Sequence, residues 1–375
     1  MISHRPRAVA QIDVNAIIHN YRQIRKSLPS DIKIMSIVKA DGYGHGAVEI
    51  AQILQKQAVD YLAVAIASEG AELREAGIRT PILVLGYTPA AEIPILIEND
   101  LTQTIFSYEM AKYISYEASK LGKRIKIHIK VDTGMGRIGF FPHPTSIEEI
   151  VDINQLPNIE IEGIFTHFAS ADEGDKTYTN EQSAIFHGFL KELQQVGIEF
   201  PIIHAANSAG IIMHKNTHLS MVRLGIALYG HYPSEEAESH ELGIIPAMSL
   251  KTQIVHIKEV PKGQSIGYNR TYTTAKVTKI ATIPIGYADG YARGLSNKGR
   301  VLIRGEYAPV VGNICMDQFM VDITHINYVD VGDEVVIFGK QNHKEILVEE
   351  IAGLLGTINY EIICMIGKRI PRVYV

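Results

Sequence analysis

The chain has 375 residues, of which 46% are hydrophobic and 21% are charged, and its formal net charge is −5 at pH 7. This composition is that of a globular protein and excludes a largely disordered one, and the lack of a basic excess argues against a nucleic-acid binder. At roughly 150 residues per domain, the length predicts two domains.

The sequence carries no signal for a membrane, for secretion or for disulfide bonds. No apolar run approaches the roughly 18 residues of a membrane helix, and residues 1–10 lack the apolar stretch of a signal peptide. Two cysteines, Cys315 and Cys364, provide neither a disulfide framework nor a four-cysteine zinc site. We therefore expect a soluble cytoplasmic enzyme.

The first 230 residues alternate short apolar runs with amphipathic stretches, of which 68–77 and 179–196 have helical spacing. Near-continuous hydrophobic runs are typical of parallel strands covered on both faces. Eight such strands over roughly 200 residues predict an α/β fold with a (β/α)8 TIM-like barrel, and a doubly wound open sheet is the alternative. The predicted strands are Ile32–Lys39, Tyr61–Ile66, Pro81–Gly86, Thr102–Ser107, Ile125–Asp132, Ile159–Phe168, Pro201–Ala206 and Met221–Gly230.

After about residue 240 the pattern changes to short strand-like runs separated by glycines, which favours a β-sandwich or a small barrel. Only 348–355 has a helical pattern, and 234–240 is the expected surface connection. The predicted domains are therefore a barrel over 1–240 and a mostly-β domain over 241–375. The predicted strands are Met248–Val260, Lys276–Ile285, Arg300–Arg304, Ala308–Ile314, Phe319–Ile323 and Glu334–Phe338.

The segment 134–139 fits the G-x-G-x-x-G pattern of dinucleotide-binding sites. That pattern requires a helix to open directly after the glycines, and the two prolines within 140–144 oppose one. A dinucleotide site is therefore not expected. The histidines show no metal-ligand spacing, so no metal is predicted either.

The strongest local signal is Lys39, which ends an apolar run and enters the glycine-rich segment 40–46. Active sites of barrel enzymes lie at the carboxyl ends of the strands. Desolvation there lowers the pKa of a lysine and leaves a nucleophilic amine suited to Schiff-base chemistry, and the glycines let backbone approach a ligand closely. The alternative is a lysine that extends from the strand end to water.

Further polar residues lie at later strand ends, namely Arg137, His167, Asn207–Ser208 and Arg223. An arginine in an apolar strand keeps its charge, so Arg223 needs hydrogen-bonding partners in a ligand or in the protein itself. The segments 207–208 and 225–226 are candidate donors of backbone N–H groups to a phosphate. Barrel enzymes commonly bind phosphate near strands seven and eight.

In the second domain, Tyr268 and Tyr287 each lie on a glycine turn. A tyrosine acts as a base only if nearby positive charge lowers its pKa from about 10; otherwise, such a tyrosine caps a turn. The segments that carry Met316 and Tyr360 are equally ambiguous when each is taken alone.

Taken together, these motifs resemble those of the bacterial alanine racemase family, a barrel-type (fold III) family of enzymes that depend on pyridoxal 5'-phosphate. They occur in that family's order between residues 39 and 360. The motifs are Val-Lys39-Ala-Asp-Gly-Tyr43, Gly-Met-Gly-Arg137-Ile-Gly, Thr-His167-Phe-Ala, Asn207-Ser208, Val-Arg223-Leu-Gly225, Gly-Tyr287-Ala-Asp-Gly, Ile-Cys-Met316-Asp-Gln and Ile-Asn-Tyr360-Glu.

The resemblance implies roles for the cofactor-binding residues. Lys39 would hold pyridoxal 5'-phosphate through a Schiff base, and Arg223 would bond its pyridine nitrogen. His167 would link Arg223 to a second base. The residues implied around the phosphate group are Tyr43, Asn207, Ser208, Gly225, Ile226 and Tyr360.

The resemblance also implies catalytic and substrate-binding roles in a head-to-tail homodimer. The second base would be Tyr268 of the partner subunit, opposite Lys39. Arg137 and the partner's Met316 would receive the substrate carboxylate, and Tyr287 resembles a gate residue. In addition, Lys130 resembles a lysine that is carbamylated in some family members.

The implied activity is the interconversion of L-alanine and D-alanine by two-base transfer of the α-proton, which supplies D-alanine for peptidoglycan. One alternative is a broad-specificity or serine racemase. Another is a decarboxylase of basic amino acids, which uses a similar barrel but sets an acidic residue at the pyridine nitrogen, where Arg223 stands in this chain. A non-catalytic carrier of pyridoxal 5'-phosphate resembles a lone barrel, so the second domain argues against it.

Overall fold

A closed barrel of eight parallel strands dominates one of the two units into which the chain divides. The computed structural model describes residues 6–375. The barrel unit comprises Ala16–Gly42 and Ala47–Ile245, and the β unit comprises the described residues up to Asn15 together with Tyr43–Gly46 and Pro246–Val375. Residues 1–5, on which the expected lack of a signal peptide partly rests, lie outside the described residues.

The barrel closes where its first strand pairs with its last, with Lys33 opposite Met221 and Ser36 opposite Leu224. All strand pairs within it are parallel, so all carboxyl ends meet at one rim. The predicted barrel and its eight strands are confirmed, and the doubly wound open sheet is excluded. The strands are Lys33–Ile37, Tyr61–Val64, Ile82–Val84, Thr102–Ile105, Ile125–Lys130, Ile159–Phe165, Ile202–His204 and Met221–Leu224.

Amphipathic helices lie before and between the barrel strands, and the buried positions of these helices recur every three to four residues. The two predicted helices are observed with small shifts, and the expected connection at 234–240 contains a short helix. The helices in this part of the chain are Val14–Ser27, Ala47–Lys56, Ala67–Glu75, Ile93–Glu98, Tyr108–Leu121, Pro144–Gln155, Thr177–Gln195, Ser208–Met213 and Glu235–Glu238.

The β unit contains one sheet of seven strands, one of three and one of two, which confirms its mostly-β character. Its helices are Val348–Leu355, as predicted, and Asn359–Cys364, which is too short to show a helical period in the sequence. The strands are Ala8–Ile12, Met248–Gln253, His256–Val260, Ser265–Ile266, Tyr272–Thr273, Thr278–Ile283, Arg300–Ile303, Glu306–Pro309, Phe319–Asp322, Glu334–Gln341, Lys344–Ile346 and Arg372–Tyr374.

Two predicted strands of this unit differ from the observed ones. The run 248–260 is two strands in two different sheets, because Ile254 N–H bonds Asp333 whereas Val255 N–H bonds Thr282. The run predicted over 308–314 is instead Glu306–Pro309, which pairs with 300–303. Beyond it, Val311 N–H bonds the Met320 carbonyl of a different sheet, so the chain leaves the first sheet at this point.

The largest difference from the predicted domains concerns the N-terminus. Ala8–Ile12 pairs antiparallel with 248–252 and parallel with 372–374, so it belongs to the seven-stranded sheet and not to the barrel. The predicted barrel domain over 1–240 therefore starts too early. The partners of this strand lie more than 200 residues away along the chain, and no local pattern reveals them.

Over residues 6–375, no helix is both long and apolar enough to cross a membrane. The same residues contain no group of three or more His, Cys, Asp or Glu side chains arranged to hold a metal ion.

Candidate active site

Lys39 lies just beyond the first barrel strand, at the start of an unusual turn. The strand ends at Ile37, so the predicted strand to Lys39 is two residues too long. Ala40 and Asp41 have φ angles of 52° and 53°, and Gly42 follows at 60°. Only glycine adopts this left-handed conformation without cost, so the backbone next to Lys39 is strained, as it often is at functional sites.

Hydrogen bonds hold this strained turn in place. The Ala40 N–H donates to Glu69 Oε1 at 2.7 Å, and the Asp41 carboxylate accepts from Ala47 N–H at 2.9 Å. Gly42 N–H donates to the Val38 carbonyl at 2.9 Å. The position of Lys39 on the rim is thus set by the turn that follows it.

Arg223 lies buried in the last barrel strand and is surrounded by acceptors. Nη1 donates to His204 Nδ1 at 3.0 Å, and Nη2 donates to His167 Nδ1 at 2.9 Å. Nη2 also contacts the carbonyls of Thr166 and Ala205 at 2.9 and 2.8 Å. Burial lowers the pKa of Arg223 to about 9, so the guanidinium still carries its charge at neutral pH.

A guanidinium can only donate hydrogen bonds, so it fixes the tautomers of the histidines beyond it. His204 accepts at Nδ1 and must carry its proton on Nε2, which lies 2.9 Å from His128 Nδ1. His128 therefore has its proton on Nε2, 3.3 Å from Glu162 Oε2. Desolvation lowers the pKa of His128 and lowers that of His204 well below its ordinary value, so both rings are neutral.

Glu162 ends this line of hydrogen bonds as a carboxylate. Desolvation alone would raise its pKa, but hydrogen bonds from His128, Lys126 and Tyr61 outweigh that effect and lower the pKa to about 2. Lys126 Nζ lies 2.7 Å from Glu162 Oε1, and the Tyr61 hydroxyl also donates to the carboxylate. Two neutral histidines therefore connect a buried cation to an anion.

His167 faces Arg223 from the end of the sixth barrel strand. Desolvation, followed by the charges of Arg223 and Arg137, lowers the pKa of His167 well below its ordinary value. Because Nδ1 accepts from Arg223, the single ring proton is on Nε2. His167 is thus a neutral donor whose orientation is set by Arg223.

Asp132 shapes the loop that carries Arg137. Its carboxylate accepts from the N–H groups of Gly134, Gly136 and Arg137 at 3.0 to 3.1 Å. The G-x-G-x-x-G pattern thus forms a loop around a carboxylate and not the start of a helix, as expected from the two prolines within 140–144. The next helix begins only at Pro144.

Lys130 ends the fifth barrel strand as a buried amine. Its Nζ donates to the Val131 carbonyl at 2.8 Å. Desolvation, followed by the charge of Arg223, lowers the pKa of Lys130 to about 7. A substantial fraction of Lys130 is therefore neutral at neutral pH, and the neutral amine is the form that can react as a nucleophile.

The ends of the last two strands are joined through Ser208. Asn207 Oδ1 caps the following helix by accepting from Gly210 N–H at 2.9 Å. The Ser208 Oγ accepts from Gly225 N–H at 3.0 Å and from Ala227 N–H at 3.3 Å. Since the oxygen accepts both, its own hydroxyl proton is directed elsewhere. Ile226 begins the 3₁₀ turn Ile226–Tyr229 within the same buried segment.

In the β unit, Tyr43 and Tyr360 lie with their ring centroids 6.1 Å apart. Burial raises the pKa of Tyr43, which stays a neutral hydroxyl. Gly44 allows this approach, because a Cβ there would collide with the Ile363 carbonyl. The two predicted phosphate-binding tyrosines of this unit are therefore neighbours.

Tyr268 is 70% exposed on the turn that begins at Gly267. Asn313 Nδ2 donates to the Tyr268 carbonyl at 2.8 Å, and this hydrogen bond stabilises the turn. Tyr287 and Met316 are brought together, since Tyr287 N–H donates to the Cys315 carbonyl at 3.1 Å. Ala288 N–H donates to the Met316 carbonyl at 3.0 Å.

Two sequence profiles of one family match almost the whole chain. The profile described as the alanine racemase N-terminal domain matches residues 12–233, and that of the C-terminal domain matches residues 247–374. The chain belongs to the alanine racemase family. It is therefore an amino-acid racemase, an isomerase, and the resemblance drawn from the motifs is confirmed.

Individual members of the alanine racemase family are similar over the full length. The alanine racemase of Methanococcus maripaludis is 52% identical over 374 residues, which cover 100% of both chains. The structure of the Clostridium difficile alanine racemase superposes with a TM-score of 0.96 at 47% identity, and covers 100% of this chain and 97% of that one. The Bacillus anthracis alanine racemase, solved with bound L-Ala-P, has a TM-score of 0.93 at 39% identity, with 100% and 96% covered.

The site residues predicted from the racemase resemblance are divided between the two units. The barrel unit holds Lys39, Lys130, Arg137, His167, Asn207, Ser208, Arg223, Gly225 and Ile226, and the β unit holds Tyr43, Tyr268, Tyr287, Met316 and Tyr360.

Sequence reasoning missed His128, His204 and Glu162, which extend the contacts of Arg223. Each is a polar residue within a strand of the barrel. A histidine in an otherwise apolar strand is a signal, but the sequence does not show that two of them meet across the barrel. Asp132 was also missed, because its partners are backbone N–H groups, which leave no pattern in the sequence.

Proposed function

We propose that this chain interconverts L- and D-alanine, the reaction of its family, with pyridoxal 5'-phosphate as cofactor and with Lys39 and Tyr268 as the two bases. The observation that carries this proposal is the environment of Arg223. A charged guanidinium lies at the rim between neutral histidines, with the lysine-bearing turn on the neighbouring strand. That arrangement suits a neutral ring nitrogen that accepts a hydrogen bond.

The residues of the barrel rim fit this cofactor. The hydrogen bonds of Arg223 described above use Nη1 and Nη2, so we assign the Nε–H to the pyridine nitrogen. The Ser208 hydroxyl accepts two N–H groups and keeps its own proton for a phosphate oxygen. Asn207, Gly225 and Ile226 would surround the phosphate in the barrel unit, with Tyr43 and Tyr360 assigned to the same role. Lys39 would hold the cofactor covalently through its ε-amine.

When bound, the cofactor delocalises the electron pair left on the α-carbon after proton removal. Arg223 donates a hydrogen bond to the ring nitrogen but keeps its proton, because its pKa stays above neutral pH. A ring nitrogen without its own proton is a weaker electron acceptor. We infer that this disfavours decarboxylation and transamination relative to return of the proton.

Racemisation needs one base on each face of the α-carbon. We assign Lys39 to the face of D-alanine and Tyr268 of the partner subunit to the face of L-alanine. The exposure of Tyr268 on its turn supports a role in a neighbouring subunit. His167 keeps its proton on Nε2 and would donate to the Tyr268 oxygen, which would link this base to Arg223.

The substrate carboxylate needs fixed donors. We assign this role to Arg137, whose loop is organised by Asp132. The backbone N–H of the partner's Met316 would be the second donor, and Tyr287 would limit access to the site. The chain would then act as a homodimer with composite sites, and its product would supply peptidoglycan synthesis.

A screen of substrates tests the activity. Purified enzyme is incubated with each L-amino acid in turn, the D-enantiomer is detected with D-amino-acid oxidase, and carbon dioxide release is recorded in parallel. We expect alanine to react fastest and no carbon dioxide to form. Equal rates with serine would support a broad-specificity racemase, and carbon dioxide release would support a decarboxylase.

Reductive labelling tests the cofactor and its attachment. Borohydride reduction of the holoenzyme, followed by peptide mapping, should leave the pyridoxyl group on Lys39 alone. Lys130, the buried amine of lowered pKa in the same unit, is the internal control. Label on Lys130 or on another lysine would overturn the assignment.

A further inference from the structure

A cluster of charged side chains in the β unit joins the segments that carry Tyr287 and Met316. Asp289 is fully buried and accepts from both Nη atoms of Arg7, with Arg7 Nη1 3.0 Å from Asp289 Oδ2. Arg7 Nη1 also donates to the Pro284 carbonyl at 2.5 Å. The same Asp289 oxygen, Oδ2, accepts from Gly286 N–H at 3.0 Å. The Asp289 carboxylate therefore joins the end of the turn that carries Tyr287 to its start at Gly286, and Arg7 joins it to Pro284 just before the turn.

Arg369 joins this turn to the segment that carries Met316. Its Nε lies 3.4 Å from Asp289 Oδ1, and its Nη2 donates to Asp317 Oδ1 at 2.7 Å. Asp289 is two residues from Tyr287, and Asp317 is adjacent to Met316. We call Asp289, Arg369 and Asp317 the carboxylate clamp.

The clamp runs beside two backbone hydrogen bonds between the same segments, from Tyr287 and Ala288 to the carbonyls of Cys315 and Met316. The segments approach so closely that a Cβ on Gly286 would collide with both carbonyl oxygens. Tyr287 and Met316 are 43% and 53% exposed in the single chain, so packing within the chain does little to fix them. Their relative position depends on these backbone contacts and on the clamp.

We propose that Arg369 and Asp289 are positioning residues that hold Tyr287 and the Met316 backbone in register, and so fix substrate binding and the size limit of the site. This inference rests on the proposed roles of Tyr287 and Met316. A donor displaced by a fraction of an ångström binds the carboxylate poorly. Loss of the clamp therefore weakens substrate binding more than proton transfer.

The test compares Arg369→Gln with Arg304→Gln in the purified holoenzyme. The control is matched, because Arg304 forms a bidentate pair with Asp333 in the same unit and is 45% exposed, against 49% for Arg369. We expect Arg369→Gln to raise the KM for both alanine enantiomers by roughly threefold to tenfold, with kcat changed less than twofold. Arg369→Lys should recover part of this loss, and Arg304→Gln should change neither constant.

Amide hydrogen exchange gives a readout that does not depend on activity. The amides of Tyr287 and Ala288 should exchange faster in Arg369→Gln than in Arg304→Gln. Unchanged exchange, or faster exchange with an unchanged KM, overturns the inference. If the wild-type enzyme fails to racemise alanine, the proposed function fails, and the exchange comparison still decides whether the clamp holds the two segments together.

Discussion

Arg223 Nη1 donates to His204 Nδ1 over 3.0 Å, and this contact fixes the proton positions of the groups beyond it. His204 must donate to His128, and His128 must donate to Glu162. Every hydrogen bond in the line then runs from the cation to the anion. Removal of the anion leaves a buried donor facing a weaker acceptor, which costs free energy.

Glu162→Gln tests this line of hydrogen bonds. The substitution keeps a similar shape but removes the charge that accepts from His128, Lys126 and Tyr61. We expect the free energy of unfolding to fall by about 1–3 kcal/mol at pH 7. Glu160→Gln is the control, because Glu160 lies on the same strand and its pair with Arg124 spans 4.0 Å. Its effect should stay below about 0.5 kcal/mol. Equal losses in urea unfolding would show that the line contributes nothing.

Lys130 should give the stability a pH dependence. Its pKa is about 7 in the folded chain against the ordinary 10.5, since desolvation opposes the charged form. Between pH 7 and about 10.5 the unfolded chain thus binds more protons, so stability rises with pH by up to about 1.4 kcal/mol per unit. Lys130→Met should reduce this slope between pH 7 and 10.

Lys126→Met is the control for Lys130→Met. The Glu162 hydrogen bond raises the pKa of Lys126 above the ordinary 10.5, so this lysine is protonated in both states up to about pH 9 and contributes almost no slope below that pH. The buffers should be free of carbon dioxide, because the neutral amine of Lys130 is the form that would become carbamylated. An identical slope in wild type and Lys130→Met would contradict the account of Lys130.

The barrel could be predicted because its strands are apolar throughout and recur with helices between them. Arg223 and Lys39 were found for a related reason, since Arg223 is a charged residue within an apolar run and Lys39 ends one. The strand Ala8–Ile12 could not be found, because its five residues carry no information about partners at 248–252 and 372–374.

The local backbone geometry next to Lys39 could not be predicted from the sequence either. A residue such as Ala40 rarely adopts a φ angle near 50°, and hydrogen bonds with Glu69 and Ala47 hold that turn. The carboxylate clamp of Asp289, Arg369 and Asp317 joins three segments that are distant in the sequence. No local pattern around these charged residues reveals that they are in contact.

The composite site predicts complementation between inactive variants. If Tyr268 serves the Lys39 of the neighbouring subunit, neither Lys39→Ala nor Tyr268→Phe homodimers should be active. A heterodimer of the two would contain one intact site and should recover up to about half of the wild-type activity per dimer. Activity is measured after subunit exchange, with heterodimer formation checked by mass spectrometry. Inactive heterodimers would indicate sites built within one chain.

Lys39 and Tyr268 would act on opposite faces of the α-carbon, and α-hydrogen exchange in deuterium oxide distinguishes the two bases. Tyr268→Phe keeps the ring but loses the ionisable oxygen, so one face of the substrate loses its base. Lys39 should still remove the α-proton of D-alanine and, as an amine with several exchangeable protons, return deuterium to the same face.

The measurement is the deuterium content of each enantiomer, separated on a chiral column and analysed by mass, after incubation of Tyr268→Phe with pure D- or L-alanine. Because the equilibrium constant of racemisation is one, kcat/KM for inversion must fall equally in both directions, and asymmetry can arise only in exchange. We expect D-alanine to exchange its α-hydrogen faster than it inverts and L-alanine to exchange very slowly. Equal exchange of both enantiomers, each coupled one-to-one to inversion, would contradict the assignment of the two bases.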